Sequence, residues 1–196
     1  MRVRTGDMGF LSKAITVAIS GTLLAGCNVS LRFGDEPLLD DRIDSFNTLL
    51  AQQQAQVITP TASLPPSATY TGLAVLQTSG ETLSGTVALG ADFVGGSVGG
   101  SVDNVISGRS GRLNGRLDVT SGMVTATPTP SGPEAGFQAD LDGSLIGDGR
   151  LLTVDAGLEG NFRGPAAEGL IADLTAGSTL TEGAFVTPLI GTLVAD

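Results

Sequence analysis

The chain has 196 residues, with 20 acidic and 10 basic side chains and a formal net charge of −10. It contains no histidine and a single cysteine. Those counts exclude an imidazole general base, a histidine-ligated metal, an internal disulfide and a thiolate metal cage. The acidic balance also argues against nucleic-acid binding, because phosphates attract a basic protein surface. What remains is a binding or scaffolding role.

The first 26 residues have the composition of a secretory signal peptide. Three basic side chains open the sequence: Arg2, Arg4 and Lys13. An apolar run over residues 14–26 follows and stops at Cys27. This run is too short, and too rich in Ser, Thr and Gly, to be a comfortable transmembrane helix. Residues 1–26 are therefore predicted to be removed from the mature protein.

The end of this segment, Leu24-Ala25-Gly26-Cys27, resembles the lipobox of bacterial lipoproteins. The resemblance implies cleavage before Cys27, diacylglycerol on its sulfur and acylation of the new amino terminus. Two or more acyl chains anchor a protein stably, whereas one holds it marginally. Asn28, rather than Asp, follows the cysteine, which favours delivery to the outer membrane. The alternative is an ordinary secretory signal with a chance cysteine.

Residues 27–67 are predicted to form a tether that contains one helix, at about 39–56. Leu39, Ile43, Phe46 and Leu50 recur at the 3.6-residue period and form one apolar stripe. We expect this stripe to pack on the outside or one end of the following domain. The alternative is that it docks a partner protein. A Pro-rich spacer, residues 59–67, is predicted to be extended and to mark the domain boundary.

From residue 68 onward, apolar and polar residues alternate and turn signals recur every eight to twelve residues. This pattern predicts an all-β fold, a small antiparallel barrel of about eight strands with a filled interior. A two-sheet sandwich is the alternative, and some glycines inside strands are read as bulges or barrel bends. The strands are predicted near 68–77, 83–94, 98–107, 112–120, 135–146, 150–162, 168–175 and 184–195.

The predicted outward positions are charged, so these strands are not expected to cross a membrane. They include Arg112, Arg116, Asp118, Asp140, Asp142 and Asp155. The mature chain carries seven arginines, nineteen acidic residues and no lysine. Such a surface avoids anionic headgroups, so the lipid on Cys27 is expected to supply the membrane attachment.

Residues 160–169, Gly-Asn-Phe-Arg-Gly-Pro-Ala-Ala-Glu-Gly, resemble a signature of the transferrin-binding protein B-like β-barrel lipoproteins. In that signature Gly-x-Phe-Tyr-Gly-Pro is followed by Ala and Glu. The stretches 91–93 and 98–102, and the pair Tyr70 and Gly72, are similar to other strands of the family. The resemblance covers residues 68–196. It implies a barrel, display on the cell surface, often a dedicated outer-membrane exporter, and capture of host or nutrient-carrying proteins.

The sequence departs from this family in three respects. Arg163 replaces an aromatic residue, the loops are short, and a single lobe is present. The resemblance therefore supports the fold and the lipoprotein class better than it supports transferrin as the ligand.

Several groups of residues have a chemical interpretation beside a plainer structural one. Asp140, Asp142 and Asp148 could form a calcium loop, but they fit outward carboxylates before a turn better. Glu168 and Asp173 could be an acid–base pair, yet the sequence predicts no sugar-binding cleft around them. Tyr70 or Met123 could ligate haem iron, but packing roles are expected.

A last glycine-rich group has the same two interpretations. Residues 95–100 fit a hairpin or bulge better than a phosphate loop. No catalytic residue, no metal and no cofactor beyond the lipid on Cys27 is predicted.

The leading functional prediction is a non-catalytic, surface-exposed outer-membrane lipoprotein. It would hold a protein or nutrient-carrier ligand through loops at one barrel end, with no residue of that site assigned. The alternative is a periplasm-facing structural or assembly lipoprotein, whose helix packs on another envelope component.

Overall fold

The computed structural model describes residues 38–196, so Cys27 and the predicted signal peptide lie outside the described residues. One α-helix, α1 (Leu39–Gln54), and one 3-10 turn, Thr61–Ser63, precede the sheet. No helix in this range is long and apolar enough to cross a membrane. The strands are β1 (Ser67–Gln77), β2 (Thr82–Asp92), β3 (Ser97–Ser107), β4 (Gly111–Arg112), β5 (Asn114–Thr127), β6 (Glu134–Gly147), β7 (Arg150–Arg163), β8 (Gly169–Leu174), β9 (Thr179–Glu182), β10 (Phe185–Pro188) and β11 (Ile190–Ala195).

The strands form a closed antiparallel barrel, as predicted. Eight strands close it in the order β7-β6-β5-β3-β2-β1-β11-β8, with β8 pairing back to β7. β8 pairs with the second half of β7, from Leu158 to Arg163. β9 pairs with the first half of the same edge, from Leu152 to Asp155. The sandwich alternative is therefore wrong.

Three register shifts interrupt the ladders, and each lies beside a glycine within a strand, in line with the general expectation of bulges at some glycines. The register shifts between Ser84 and Thr86, between Val98 and Gly100, and between Thr120 and Met123. The last shift explains an error, since the strand predicted near residues 112–120 was expected to end there. Instead β5 continues to Thr127, because a bulge absorbs the extra residue.

The carboxyl-terminal region differs most from the prediction of one strand over 184–195. It forms the hairpin β9–β10 and then β11: Pro188, the last residue paired with β9, has no N–H to extend the ladder, and the buried Leu189 separates β10 from β11. The helix ends at Gln54, two residues early. The spacer is extended at Pro60 and Leu64 but carries one 3-10 turn between them, which the prediction missed.

The interior is filled by apolar side chains from the inward positions of the strands, as expected. The largest side chains with almost no exposure are Tyr70, Phe137, Phe162, Leu76, Leu83, Leu117, Leu141, Leu145, Leu152, Leu158, Leu170 and Leu193. The charged side chains predicted to point outward, from Arg112 to Asp155, are exposed. This division of inward apolar and outward polar residues stabilises the closed sheet.

Helix α1 packs on the outer wall of the barrel. Phe46 is buried against Val75, Ile171 and Val194, and the partly buried Ile43 joins this cluster. The expectation that the apolar stripe packs on the domain is confirmed. The barrel itself therefore occupies the face that the alternative reserved for a partner protein.

An ion cluster closes one end of the barrel, which we call the arginine end; its turns are residues 78–81, 108–110 and 148–149. Arg150 donates to both carboxylate oxygens of Glu182, at 2.6 and 2.8 Å, and to Glu81 at 2.7 and 3.1 Å. It also donates to Ser110 Oγ at 2.6 Å, while Ser107 Oγ donates to Glu81. Only 3% of the Glu81 side chain is exposed.

These contacts change the acidity of both carboxylates. Burial raises the pKa of Glu81, but hydrogen bonds from Arg150 and Ser107 outweigh it and leave the pKa lowered. The hydrogen bond from Arg150 lowers the pKa of Glu182 as well. Both groups thus stay charged at neutral pH, and the cluster is an ion pair network rather than a proton donor.

We predict that Arg150→Leu destabilises the barrel by about 3–5 kcal/mol, because it leaves Glu81 charged and buried without its partner. Arg116→Leu is the matched control. Its ion pair with Asp118 (2.8 Å) is exposed, so a loss below about 1 kcal/mol is expected. Urea unfolding followed by circular dichroism measures both values, and equal losses would contradict the assignment.

The same cluster predicts a pH dependence. A lowered carboxyl pKa stabilises the folded state above the unfolded pKa, and this contribution disappears as pH falls through the folded pKa. The difference in stability between the parent chain and Arg150→Leu should therefore shrink below about pH 4. A difference that stays constant down to acid pH would argue against ionised partners of Arg150.

Candidate functional site

The candidate site lies at the other end of the barrel, which we call the motif end. Its turns are residues 93–96, 128–133 and 164–168, and the last of these belongs to the 160–169 signature. Residues 57–60, which follow α1, run across this end. The site is therefore assembled from four stretches that are far apart in sequence.

An aromatic cluster plugs the barrel beneath these turns. Phe162 is buried at its centre, with its ring centroid 4.9 Å from Phe93, 5.4 Å from Phe137 and 5.9 Å from Tyr70. The Phe93 contact is edge-to-face, at an interplanar angle of 76°. Such contacts add to the stabilisation from burial alone. The signature phenylalanine thus has a packing role.

The signature turn is held in an unusual backbone conformation. Gly164 has φ +87°, and a Cβ there would lie 2.2 Å from Glu168 Oε2. Ala167 has φ +57°, which is rare for a residue with a side chain. The hydroxyl of Tyr70 donates to the Ala167 carbonyl at 2.9 Å, and Glu168 Oε2 accepts the Ala166 N–H at 3.0 Å. These two hydrogen bonds fix the turn.

Thr59 ties the segment after α1 to the same turn. It is fully buried, and its hydroxyl donates to the Gly164 carbonyl at 2.7 Å. Its backbone N–H donates to the Phe162 carbonyl at 3.0 Å, and its own carbonyl accepts from Ala135 at 2.8 Å. The predicted spacer is therefore part of the barrel end.

A cleft of about 280 Å³ opens between the end of α1 and the signature turn, lined by Gln53, Gln56, Arg163, Gly164, Pro165 and Glu168. Gln53 is buried, and its Oε1 has no hydrogen-bond partner within the described residues. Nε of Arg163 is also buried without one. An unpaired buried polar atom costs about 1–3 kcal/mol. Gln53 and Arg163 thus line the cleft while one polar atom of each stays buried and unpaired within the described residues.

At the motif end, the hairpin of β5 and β6 extends beyond its neighbours. β3 pairs with β5 only as far as Met123, and β7 pairs with β6 only from Gly136. The projecting tip, residues 128–133, contains three prolines, and Thr129 Oγ1 donates to the Gly132 carbonyl at 2.6 Å. A pre-ordered tip of this kind loses little conformational entropy on binding.

The structure separates the carboxylates considered as an acid–base pair. Glu168 lines the cleft at the motif end. Asp173 lies in the groove beside α1, where its Oδ1 accepts from Thr192 at 2.5 Å. Tyr70 and Met123 are also apart, since Tyr70 is buried inside the barrel and Met123 is 60% exposed on β5.

The remaining sequence candidates take structural positions. Asp140 and Asp142 share the outer face of β6, and Asp148 lies in the turn after it. Burial raises the pKa of Asp142, and the nearby Asp155 and Asp140 raise it further. Residues 95–100 form the β2–β3 turn and the bulged start of β3, as the hairpin interpretation predicted.

Sequence reasoning missed Gln53 and the Arg150 cluster, although a signal existed for each. Gln53 continues the helical stripe three residues after Leu50, so a polar residue stands on the packed face. Arg150 stands two residues before the buried Leu152, and Glu81 two residues before the buried Leu83. Each charged side chain is therefore at an inward-facing position. Charged residues at inward positions near strand ends predict a buried ion pair.

A comparison with protein-family models finds no match to this chain, and a comparison with curated proteins finds none either. The transferrin-binding protein B-like resemblance therefore stays a prediction.

The single tyrosine gives a direct test of the motif end. Burial raises the pKa of Tyr70 well above its usual value of about 10, and Glu168 raises it further. We predict that the tyrosinate absorbance band stays absent in the folded protein up to about pH 12, whereas urea-unfolded protein titrates near pH 10. A folded-state titration near pH 10 would contradict the buried hydrogen bond to Ala167.

The raised pKa of Tyr70 also makes the stability of the folded protein depend on pH. The folded state holds the phenol proton more tightly, so its contribution is complete below the unfolded pKa and is lost as pH rises above it. We expect Tyr70→Phe to abolish the fall in stability at high pH, because the variant has no phenol to ionise. At neutral pH it should lower the free energy of unfolding by about 1–2 kcal/mol, because the hydrogen bond to Ala167 is lost. Chemical unfolding at two pH values measures both effects.

Proposed function

We propose that this chain is a non-catalytic, lipid-anchored binding module of the bacterial outer membrane, in the class of the transferrin-binding protein B-like lipoproteins. The acyl chains on Cys27 attach it to the membrane, and the barrel is displayed on the cell surface. The loops of the motif end hold a protein or nutrient-carrier partner.

The observation that carries this proposal is the cleft at the motif end. A partner that draws the Gln53 and Arg163 side chains outward can donate to Gln53 Oε1 and accept from Arg163 Nε, and so pairs two atoms that are buried and unpaired in this structure. A backbone peptide group of another protein presents that combination. The nearby Glu168 carboxylate and Arg163 guanidinium add charge selectivity, because a mismatched partner leaves a charge unpaired.

Other parts of the motif end also support protein binding. Val94 is 84% exposed in the β2–β3 turn, and Met123 is exposed on the neighbouring strand. With the proline-containing tip at 128–133, they offer apolar contact area on the side of the motif end away from the cleft. Protein interfaces combine apolar contacts with polar ones.

The burial of the helix stripe favours this proposal over the periplasm-facing alternative. That alternative used the stripe as its contact with another envelope component. Phe46 instead packs on Val75, Ile171 and Val194. Protease treatment of intact cells separates the two: digestion of the barrel from outside supports surface display, and full protection supports the periplasmic role.

Anchoring is tested by Cys27→Ser. We expect the variant to leave the membrane fraction while its circular dichroism and unfolding midpoint stay unchanged, because the described residues make their contacts without Cys27. Mass spectrometry of the parent protein should show the acyl additions on Cys27. Persistent membrane association of the variant would count against a lipid anchor.

Binding is tested with the immobilised barrel-containing chain and the partner it captures from culture medium supplemented with serum. Arg163→Ala should weaken capture by about tenfold or more, the loss typical of one central interface arginine. Arg109→Ala, which removes an exposed arginine at the opposite end, is the control and should leave capture unchanged. Capture that responds only to Arg109→Ala would move the site away from the motif end.

A further inference from the structure

Exposed apolar side chains collect around the arginine end of the barrel. Ile146 and Leu151 are opposite each other on β6 and β7 at that end, and are 55% and 53% exposed. Ile190, at the start of β11, pairs with Gln77, the last residue of β1. Together with Phe185 and Val186 they form an arc across β6, β7, β10 and β11, which we call the apolar arc.

The hairpin β9–β10 is the most exposed part of the apolar arc. Phe185 is 78% exposed and Val186 62%. Within the described residues β10 pairs with β9 alone, so its other edge carries no strand. The edge is short and ends in Pro188, features that discourage the addition of a strand from another protein. The side chains of this hairpin, rather than its backbone, are therefore the feature available for contact.

The charges at this end are largely balanced. Arg150 pairs with Glu81 and Glu182, and the three arginines of this end, Arg109, Arg112 and Arg150, match three carboxylates, Glu81, Asp148 and Glu182. The outer wall and the motif end hold the exposed Asp118, Asp140, Asp142, Asp155 and Glu159. An anionic or zwitterionic surface is repelled least at the arginine end. The acidic start of α1, at Asp40 and Asp41, lies across the barrel from β6.

The chain also enters the described region at the arginine end. Leu39 packs close to Gly108, in the connection after β3, whereas Gln53 packs against Gly169 at the motif end. Leu38 is eleven positions after Cys27, a length of chain that spans at most about 40 Å. A bilayer that holds Cys27 is thus always within reach of the apolar arc, although this tether does not by itself fix which end faces the membrane.

We propose that the arginine end docks on the lipid bilayer, with Phe185, Val186 and Ile190 entering the interfacial region, so that the motif end points away from the membrane. The inference rests on the proposed anchor at Cys27. The side chains of the apolar arc stand on separate turns and strand starts, so a fluid interface fits them better than one flat protein surface. Interfacial binding by exposed aromatic and aliphatic residues follows the same physics as amphipathic helices.

The absence of tryptophan from the chain allows a clean test. Phe185→Trp places one fluorescent reporter in the apolar arc, and Val94→Trp places a matched reporter at the motif end. Each mature chain, from Cys27 onward, is coupled through its only thiol to a maleimide lipid in phosphatidylcholine vesicles that contain brominated lipid. This coupling supplies the tether without depending on natural acylation.

We expect brominated lipid to quench Phe185→Trp at least about threefold more than Val94→Trp, because interfacial side chains lie within the headgroup and upper acyl region. Phe185→Trp should also show a blue-shifted emission only when vesicles are present. Equal quenching of the two reporters, no quenching of either, or stronger quenching of Val94→Trp would overturn the proposal.

Two further measurements keep the outcomes distinct. Sedimentation of the uncoupled chain tests whether a second copy of the chain, rather than the bilayer, covers the apolar arc. A dimer that Phe185→Ser disrupts would assign the arc to that second copy and overturn membrane docking. Native protein that carries no acyl group would refute the proposed anchor. The vesicle experiment would still report whether the arginine end prefers lipid.

Discussion

The structure depends on how two strands, β8 and β9, divide the edge of β7 that does not pair with β6. On one edge β6 pairs with residues 150–161, whereas on the other edge β8 pairs with residues 158–163 and β9 with residues 152–155. If β8 alone closed the barrel, the first half of β7, before Leu158, would have no strand on this edge. β9 fills that gap, which brings Glu182 to Arg150 and makes the β9–β10 hairpin leave the barrel at the arginine end. Barrel closure, the ion cluster and the exposed Phe185 thus have one structural cause.

The alternation of apolar and polar residues was sufficient to predict a barrel of about eight strands, because inward positions must be apolar along every strand. Turn residues in the sequence predicted strand ends wrongly where long-range strand pairing determines how far a strand extends. Residues 121–122 read as a turn, but a bulge with Ser121 at φ +52° keeps β5 paired with β6. The split of β8 and β9 depends on which half of β7 each strand meets, and no local pattern encodes that choice. Thr59 was missed for the same reason, since its partners lie about a hundred residues away.

Most residues of the 160–169 signature have structural roles in the barrel. Gly160 makes room for the Phe137 ring, Phe162 centres the aromatic cluster, and Gly164 allows the tight turn. A match to these positions therefore carries information about the barrel. Arg163, the position that departs from the family pattern, is the one whose side chain lines the cleft. Under the proposed function, ligand selectivity is accordingly expected to depend on Arg163.

The filled interior restricts where the protein can make contacts. A ligand cannot enter a barrel whose axis holds Phe137, Leu141 and Leu145, so binding is confined to the ends and the outer wall. On the wall, Asp118, Asp142 and Asp155 are directly opposite one another across three strands. Like charges in such register repel each other and any acidic surface. The two ends therefore remain as contact surfaces, and because one is polar with unsatisfied atoms and the other apolar with balanced charge, they are suited to different partners.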